Sequence, residues 1–217
     1  MPAVSHIVSP WTAPWCGWTM LLLVLFAALS EAMQRGVITQ AMSSFTARTD
    51  RMYKDAPTNV LAQIFITFFR LGTLAMMLCL CLGPYDRFTF AMFGVVCAII
   101  VGVLLLKMAV TALIDYTFML SKRFGAVYEH YSNILTIISV VLYPLMLLFM
   151  HIGNQEATRW LLGITAVIYL LAWMYISARW FVQSPKAVLY LLLYFATVEC
   201  LSIAALVFIS AKTISLL

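Results

Sequence analysis

The sequence predicts an all-α, polytopic membrane protein: one bundle of about six transmembrane helices with short loops and an interfacial amphipathic helix. Three observations predict it. Hydrophobic residues make up 65% of the 217-residue chain and charged residues only 10%. A soluble domain holds roughly 45–50% apolar and about 25% charged residues, and no soluble core of this length hides so much apolar surface. The mean hydropathy of +1.02 points the same way. The apolar residues also fall in runs of about 20, the length that crosses ~30 Å of hydrocarbon as a helix. Finally, Trp160 and Trp180 stand twenty residues apart, about 30 Å of helix, so each indole can sit at one headgroup level.

Residues 16–33 form the first span, behind a cluster of Trp11, Trp15 and Trp18 of the interfacial kind. The stretch before it has no Lys or Arg, so it reads as a retained span rather than a cleaved signal peptide. Residues 35–55 follow with Ile38, Ala41, Met42, Phe45, Thr49 and Met52 at helical spacing and Arg48, Arg51 and Lys54 nearby. That pattern predicts a short cytoplasmic helix lying at the interface, or equally an extension of the first span. Asp55 to Asn59 breaks it and offers Thr58 or Asn59 as a cap.

The second span is 60–82 and the third 88–113. On the third, Gly94, Ala98 and Gly102 recur every four residues, a face that lets another helix approach closely. The partner of that face is either internal or a second protein. Residues 111–130 are helix-prone and continue the third span past the membrane. The fourth span, 131–150, carries Pro144, which predicts a kink, and Asn133, Thr136 and Ser139, which can bond between helices. The fifth is 160–178 and the sixth 187–210. No internal repeat is visible, so the inverted-repeat plan of many transporters is not expected. The whole chain, 1–217, is one membrane domain.

Orientation follows from the cations. The loops between spans 1–2, 3–4 and 5–6 carry eight Lys or Arg, and the opposite side carries three. Positive loops stay in the cytoplasm, which places both termini on the periplasmic side. The net charge of +5 then reflects loops facing anionic lipid, and nucleic acid is not an expected partner. The five cysteines lie in or beside apolar runs and read as small buried hydrophobes.

Three charges fall inside spans: Arg70, Lys107 and Glu199. A charge at mid-helix costs on the order of 2.5–3.5 kcal/mol on insertion scales and usually pairs or faces a cavity. Counted from the cytoplasmic side, Arg70 lies ~15 Å deep and Glu199 ~20 Å. The matching depths predict an intramembrane Arg70–Glu199 pair. Lys107 is expected near the cytoplasmic interface, where it snorkels or meets Asp115. The pair reads either as a clamp between helices or as part of a proton or ion relay.

Catalytic signatures are sparse. Glu129-His130 is no metalloprotease motif, there is no GxSxG, and no cofactor, metal or catalytic residue is expected. His151 with Glu156 is a weak candidate at the outer interface.

The residues just named carry a resemblance. The Leu-Tyr opening of the sixth span, Tyr194, Glu199 and Lys212 resemble the C-terminal signature of an uncharacterised Bacteroidota family, domain of unknown function 4271. Lys107, Tyr131-Ser-Asn133, Tyr143-Pro144 and Arg179 resemble its pattern too, over roughly 62–212. The family often has a proline soon after the glutamate; here stands Leu201-Ser202. The resemblance implies a multi-pass inner-membrane protein and supplies no activity.

The expected function is a non-enzymatic subunit or accessory factor of a larger inner-membrane complex, with protein export or membrane-protein biogenesis as a host process. Expected partners are the bilayer and other integral membrane proteins, or further copies of the chain. A small transporter or channel using Arg70 and Glu199 is the alternative, and an intramembrane enzyme on lipid or peptide is the third.

Overall fold

A computed structural model describes residues 14–46, 59–83, 89–118, 121–181 and 195–216, with side chains described for most of them. The described elements are α1 (Pro14–Met33), α2 (Val37–Thr46), α3 (Val60–Leu82), α4 (Phe90–Phe118), α5 (Ser121–Ile152) and α6 (Gln155–Phe181). A single π-helical turn, Phe195–Cys200, then leads into α7 (Leu201–Leu216). Among the described residues, five stretches are long and apolar enough to cross a membrane: α1, α3, Phe90–Val110 of α4, Tyr131–Ile152 of α5 and Gln155–Tyr175 of α6. They overlap the first five expected spans. The sixth expected span opens in residues outside the described set and is helical from Phe195 onward.

Helix α3 is the hub. It packs against α1, α4, α5, α6 and α7, and its window is the most buried of the five. Its sequence explains this. Gly72, Thr73, Ala75, Cys79 and Cys81 are small, and Met76 and Met77 adapt their shape. Small residues let helix backbones approach where lipid offers no hydrophobic drive. A Cβ on Gly72 would stand 2.3 Å from Leu23 Cδ2, so α1 seats Leu23 directly on that glycine. Hydrogen bonds between helices add to the packing: Ser30 Oγ donates to the Ala62 carbonyl at 2.9 Å, and the Tyr143 hydroxyl donates to the Met20 carbonyl at 3.0 Å.

The two ends of the bundle are recognisable. At one end the Trp15 ring lies 5.7 Å from Phe90 and 6.1 Å from Phe93, bringing the starts of α1 and α4 together. There Gln155 Nε2 and Arg159 Nε donate to the Gly83 and Cys81 carbonyls, so the start of α6 caps the end of α3. At the other end α1 turns into α2. Gly36 takes a positive φ of 84°, and Glu31 accepts from the Gly36 and Ile38 amides at 2.6 and 3.3 Å. A carboxylate at a helix start satisfies orphan amides and favours the dipole. Asn59 caps α3 by accepting from the Leu61 amide.

Within the expected 35–55 stretch, the described helix α2 covers Val37–Thr46. It buries Val37 and Ala41, leaves Met42 exposed and packs against α5; residues 47–58 lie outside the described set. Helices α4 and α5 both outrun their apolar spans; the helix-prone 111–130 stretch, expected to continue the third span, is shared between the end of α4 and the start of α5. Helix α5 runs unbroken through Pro144. The proline removes one backbone donor without ending the helix, because the neighbouring turns keep theirs.

Candidate functional site

The chemistry-bearing side chains gather where α4, α5, α6 and the π turn meet. Lys107 comes from α4, Tyr131 from α5, Tyr169 and Trp173 from α6, and Glu199 from the π turn. Tyr169 and Trp173 are four residues apart and therefore share one helix face. The level is common as well. Lys107 is seventeen positions after the start of α4 and Glu199 seventeen before the end of α7, each about 25 Å along its helix.

Lys107 Nζ lies 2.7 Å from Glu199 Oε1 and donates to Oε2 at 2.7 Å. The Tyr169 hydroxyl donates to Oε2 at 3.0 Å and accepts from Nζ at 3.3 Å. Three rings surround the ammonium. Their centroids stand 3.9 Å (Tyr131), 5.9 Å (Trp173) and 6.0 Å (Tyr169) from Nζ. Tyr131 meets Tyr169 and Trp173 edge-on, at 6.1 and 5.5 Å between centroids. Ile134, with Leu135, Ile138 and Ile203, packs behind them.

Glu199 is 1% exposed and the Lys107 side chain 11%. Both charges are thus out of water, and each depends on the other for compensation. A desolvated cation over an aromatic face gains about 2 kcal/mol more. Two polar atoms of this cluster, Trp173 Nε1 and Glu199 Oε1, are buried without a hydrogen bond among the described residues, although Oε1 lies 2.7 Å from the ammonium. The π turn under Glu199 adds a further mark, because such turns recur at functional sites. Carboxylate, phenol and ammonium in one contact can hold or pass a proton, and the rings favour a cation.

The expected Arg70–Glu199 pair is not the one that forms. Arg70 Nε donates to the Ile66 carbonyl at 3.3 Å, Nη2 to Thr67 Oγ1 at 2.7 Å, and Nη1 to both the carbonyl and the hydroxyl of Ser132 on α5. Helix side chains lean toward the N-terminus. Arg70 accordingly folds back along α3 and across to Ser132 of α5 rather than to Glu199. Lys107, expected to snorkel or to meet Asp115, turns its side chain inward to Glu199 instead, three residues before the apolar span of α4 ends at Val110. The side chain of Asp115, its other expected partner, lies outside the described set, as do those of Glu129 and His130. His151 and Glu156 are exposed.

Gly94, Ala98 and Gly102 face outward on α4. A Cβ on Gly94 or Gly102 would meet nothing within 4 Å. The inward face of α4 is instead Met92, Val96 and Ile100. The sequence reading missed Tyr169 and Trp173. Their only signal was an aromatic pair at i, i+4 in a span that also holds Trp160 and Tyr175, a pattern that ordinary core packing also produces.

A family model described as a domain of unknown function (DUF4271) matches residues 17–207, most of the chain. No curated protein and no solved structure matches it.

Proposed function

The chain belongs to the family described as a domain of unknown function, DUF4271, and from that premise we propose that it is a non-enzymatic, multi-pass subunit or accessory factor of a larger membrane assembly. The observation that carries this reading is the outward Gly94–Ala98–Gly102 face of α4, which no described helix of the chain covers. Small residues gain little from lipid tails, but they let a foreign helix approach to backbone contact. The partners are other integral membrane proteins or further copies of this chain. The host membrane is the inner membrane of a Bacteroidota cell, with both termini periplasmic. Support comes from the eight-to-three division of cations between the two sides.

The test starts from the full chain extracted gently from its own membrane, followed by native separation and mass spectrometry of what travels with it. The reading expects stoichiometric co-migration with a defined set of membrane proteins. It also expects Gly94→Leu and Gly102→Leu to lose those partners while melting like the wild type. Migration as a lone monomer sinks the reading.

A second reading, a small transporter or channel, is favoured by one observation: a carboxylate held on a π turn inside the membrane and compensated by Lys107 and Tyr169. Lys107 takes the place that the sequence assigned to Arg70. Flux through liposomes that is abolished by Glu199→Gln supports it; flux unchanged by that substitution removes it.

A further inference from the structure

We propose that the Tyr131, Tyr169, Trp173 and Glu199 cage is a primary-ammonium binding site, which Lys107 fills in the state seen here and which a free alkylammonium can take in its place. The inference stands apart from the assembly reading and does not rest on it.

The walls are those that ammonium recognition requires. Aromatic faces supply negative quadrupole, a carboxylate supplies the counter-charge, and a low-dielectric surround strengthens both. Three rings lie within 6.0 Å of the bound nitrogen, and Glu199 takes it at 2.7 Å. The walls come from three separate elements, α5, α6 and the π turn, so the cage does not depend on the helix that delivers the lysine. The second hydrogen-bonding oxygen is not saturated. Glu199 Oε1 and Trp173 Nε1 are both buried without a hydrogen bond among the described residues, and Trp173 is 3% exposed.

The occupant is also the movable part. Lys107 sits between Leu106 and Met108, both exposed on the outward face of α4. Its backbone therefore lies at the edge of the buried surface, and only its flexible stem reaches inward. Such stems can swing toward water while the methylenes stay in apolar surroundings. Glu199 cannot follow, being 1% exposed. If the lysine leaves, an uncompensated buried carboxylate remains, and another cation must enter. The other charged or titratable groups described around the carboxylate are Tyr131 and Tyr169; Arg70 is engaged with Ser132 one residue from Tyr131.

The test removes the tethered occupant and supplies it free. Lys107→Ala deletes Cγ, Cδ, Cε and Nζ, and n-propylammonium is that fragment as a soluble ion. The full-length variant in phosphatidylglycerol nanodiscs is melted with increasing n-propylammonium. The expected result is a saturable rise in Tm, as mass action requires of a ligand that binds only the folded state. Sodium at equal ionic strength and n-propanol at equal concentration give no such rise, and neither does the ion on Lys107→Ala/Glu199→Gln. A second set of nanodiscs made of phosphatidylethanolamine separates the sources. A raised Tm there without added amine means that the lipid headgroup reaches the cage; a rise only with the free ion means that it does not. No rise in either, or an equal rise with sodium or propanol, overturns the proposal. Glu199→Gln in the otherwise intact chain provides a readout that needs no Lys107 variant. Labelling of Lys107 by a membrane-permeant amine-reactive reagent should speed up relative to wild type, and unchanged labelling equally overturns the proposal.

Discussion

Lys107 Nζ stands 2.7 Å from each carboxylate oxygen of Glu199, tying α4 to the turn that starts α7. Two buried charges so placed are worth less as a pair than either is harmful alone. Lys107→Met and Glu199→Gln should each destabilise the protein by about 3–5 kcal/mol, because the surviving charge is stranded. The double variant Lys107→Met/Glu199→Gln should lose much less than the sum. Denaturant titration in mixed micelles, read as a double-mutant cycle, checks this. Strict additivity would mean that the two groups do not compensate each other.

Arg70 serves a different joint. Its guanidinium spans Ile66, Thr67 and Ser132 with separate nitrogens. Lysine carries the charge but not the planar fork. Arg70→Lys should therefore cost about 1–3 kcal/mol, the range for lost hydrogen bonds to charged groups. Ser132→Ala, which keeps the carbonyl acceptor, should cost less. A Lys variant as stable as the wild type would show that charge alone matters at this position.

Gly72 and Gly163 make a matched comparison. A Cβ on Gly72 meets Leu23 at 2.3 Å, whereas one on Gly163 meets nothing within 4 Å. Gly72→Val should destabilise by about 1–3 kcal/mol, as overpacking does, and Leu23→Ala should relieve part of that loss. Gly163→Ala should be neutral or slightly stabilising, since alanine is the better helix former. Equal effects at the two sites would contradict the α1–α3 packing.

Tyr143 crosses from α5 to the Met20 carbonyl of α1 at 3.0 Å. Bonds of this kind in membranes average about 0.6 kcal/mol and reach about 1.7. Tyr143→Phe should fall in that range by thermal melting. A loss well beyond it would mean that the hydroxyl has a role outside packing.

Much of the fold was legible along the chain. The 60–82 span coincides with α3, and Asn59 caps it, because an apolar run and an Asn before it are local signals. The three intramembrane charges were equally visible. Their pairing was not. Arg70 and Glu199 matched in nominal depth, yet the helix direction sends the Arg70 side chain back toward Thr67. Counting residues along the third span put Lys107 near its cytoplasmic end but could not show that the side chain turns inward to Glu199. The tyrosines and the tryptophan of the cage gave no separate signal, since aromatic residues in an apolar helix are ordinary core material.

The sequence by itself determined that this chain lives in a membrane, where most of its spans lie, and which residues carry charge into them. It could do so because composition selects the solvent, and each residue advances a helix by a constant ~1.5 Å. Only the tertiary structure decided that Glu199 meets Lys107 inside three rings and that the small face of α4 points outward. Those facts depend on which helices are neighbours and how each is rotated. Both are set by the packing of small residues against α3, a property of all the helices together.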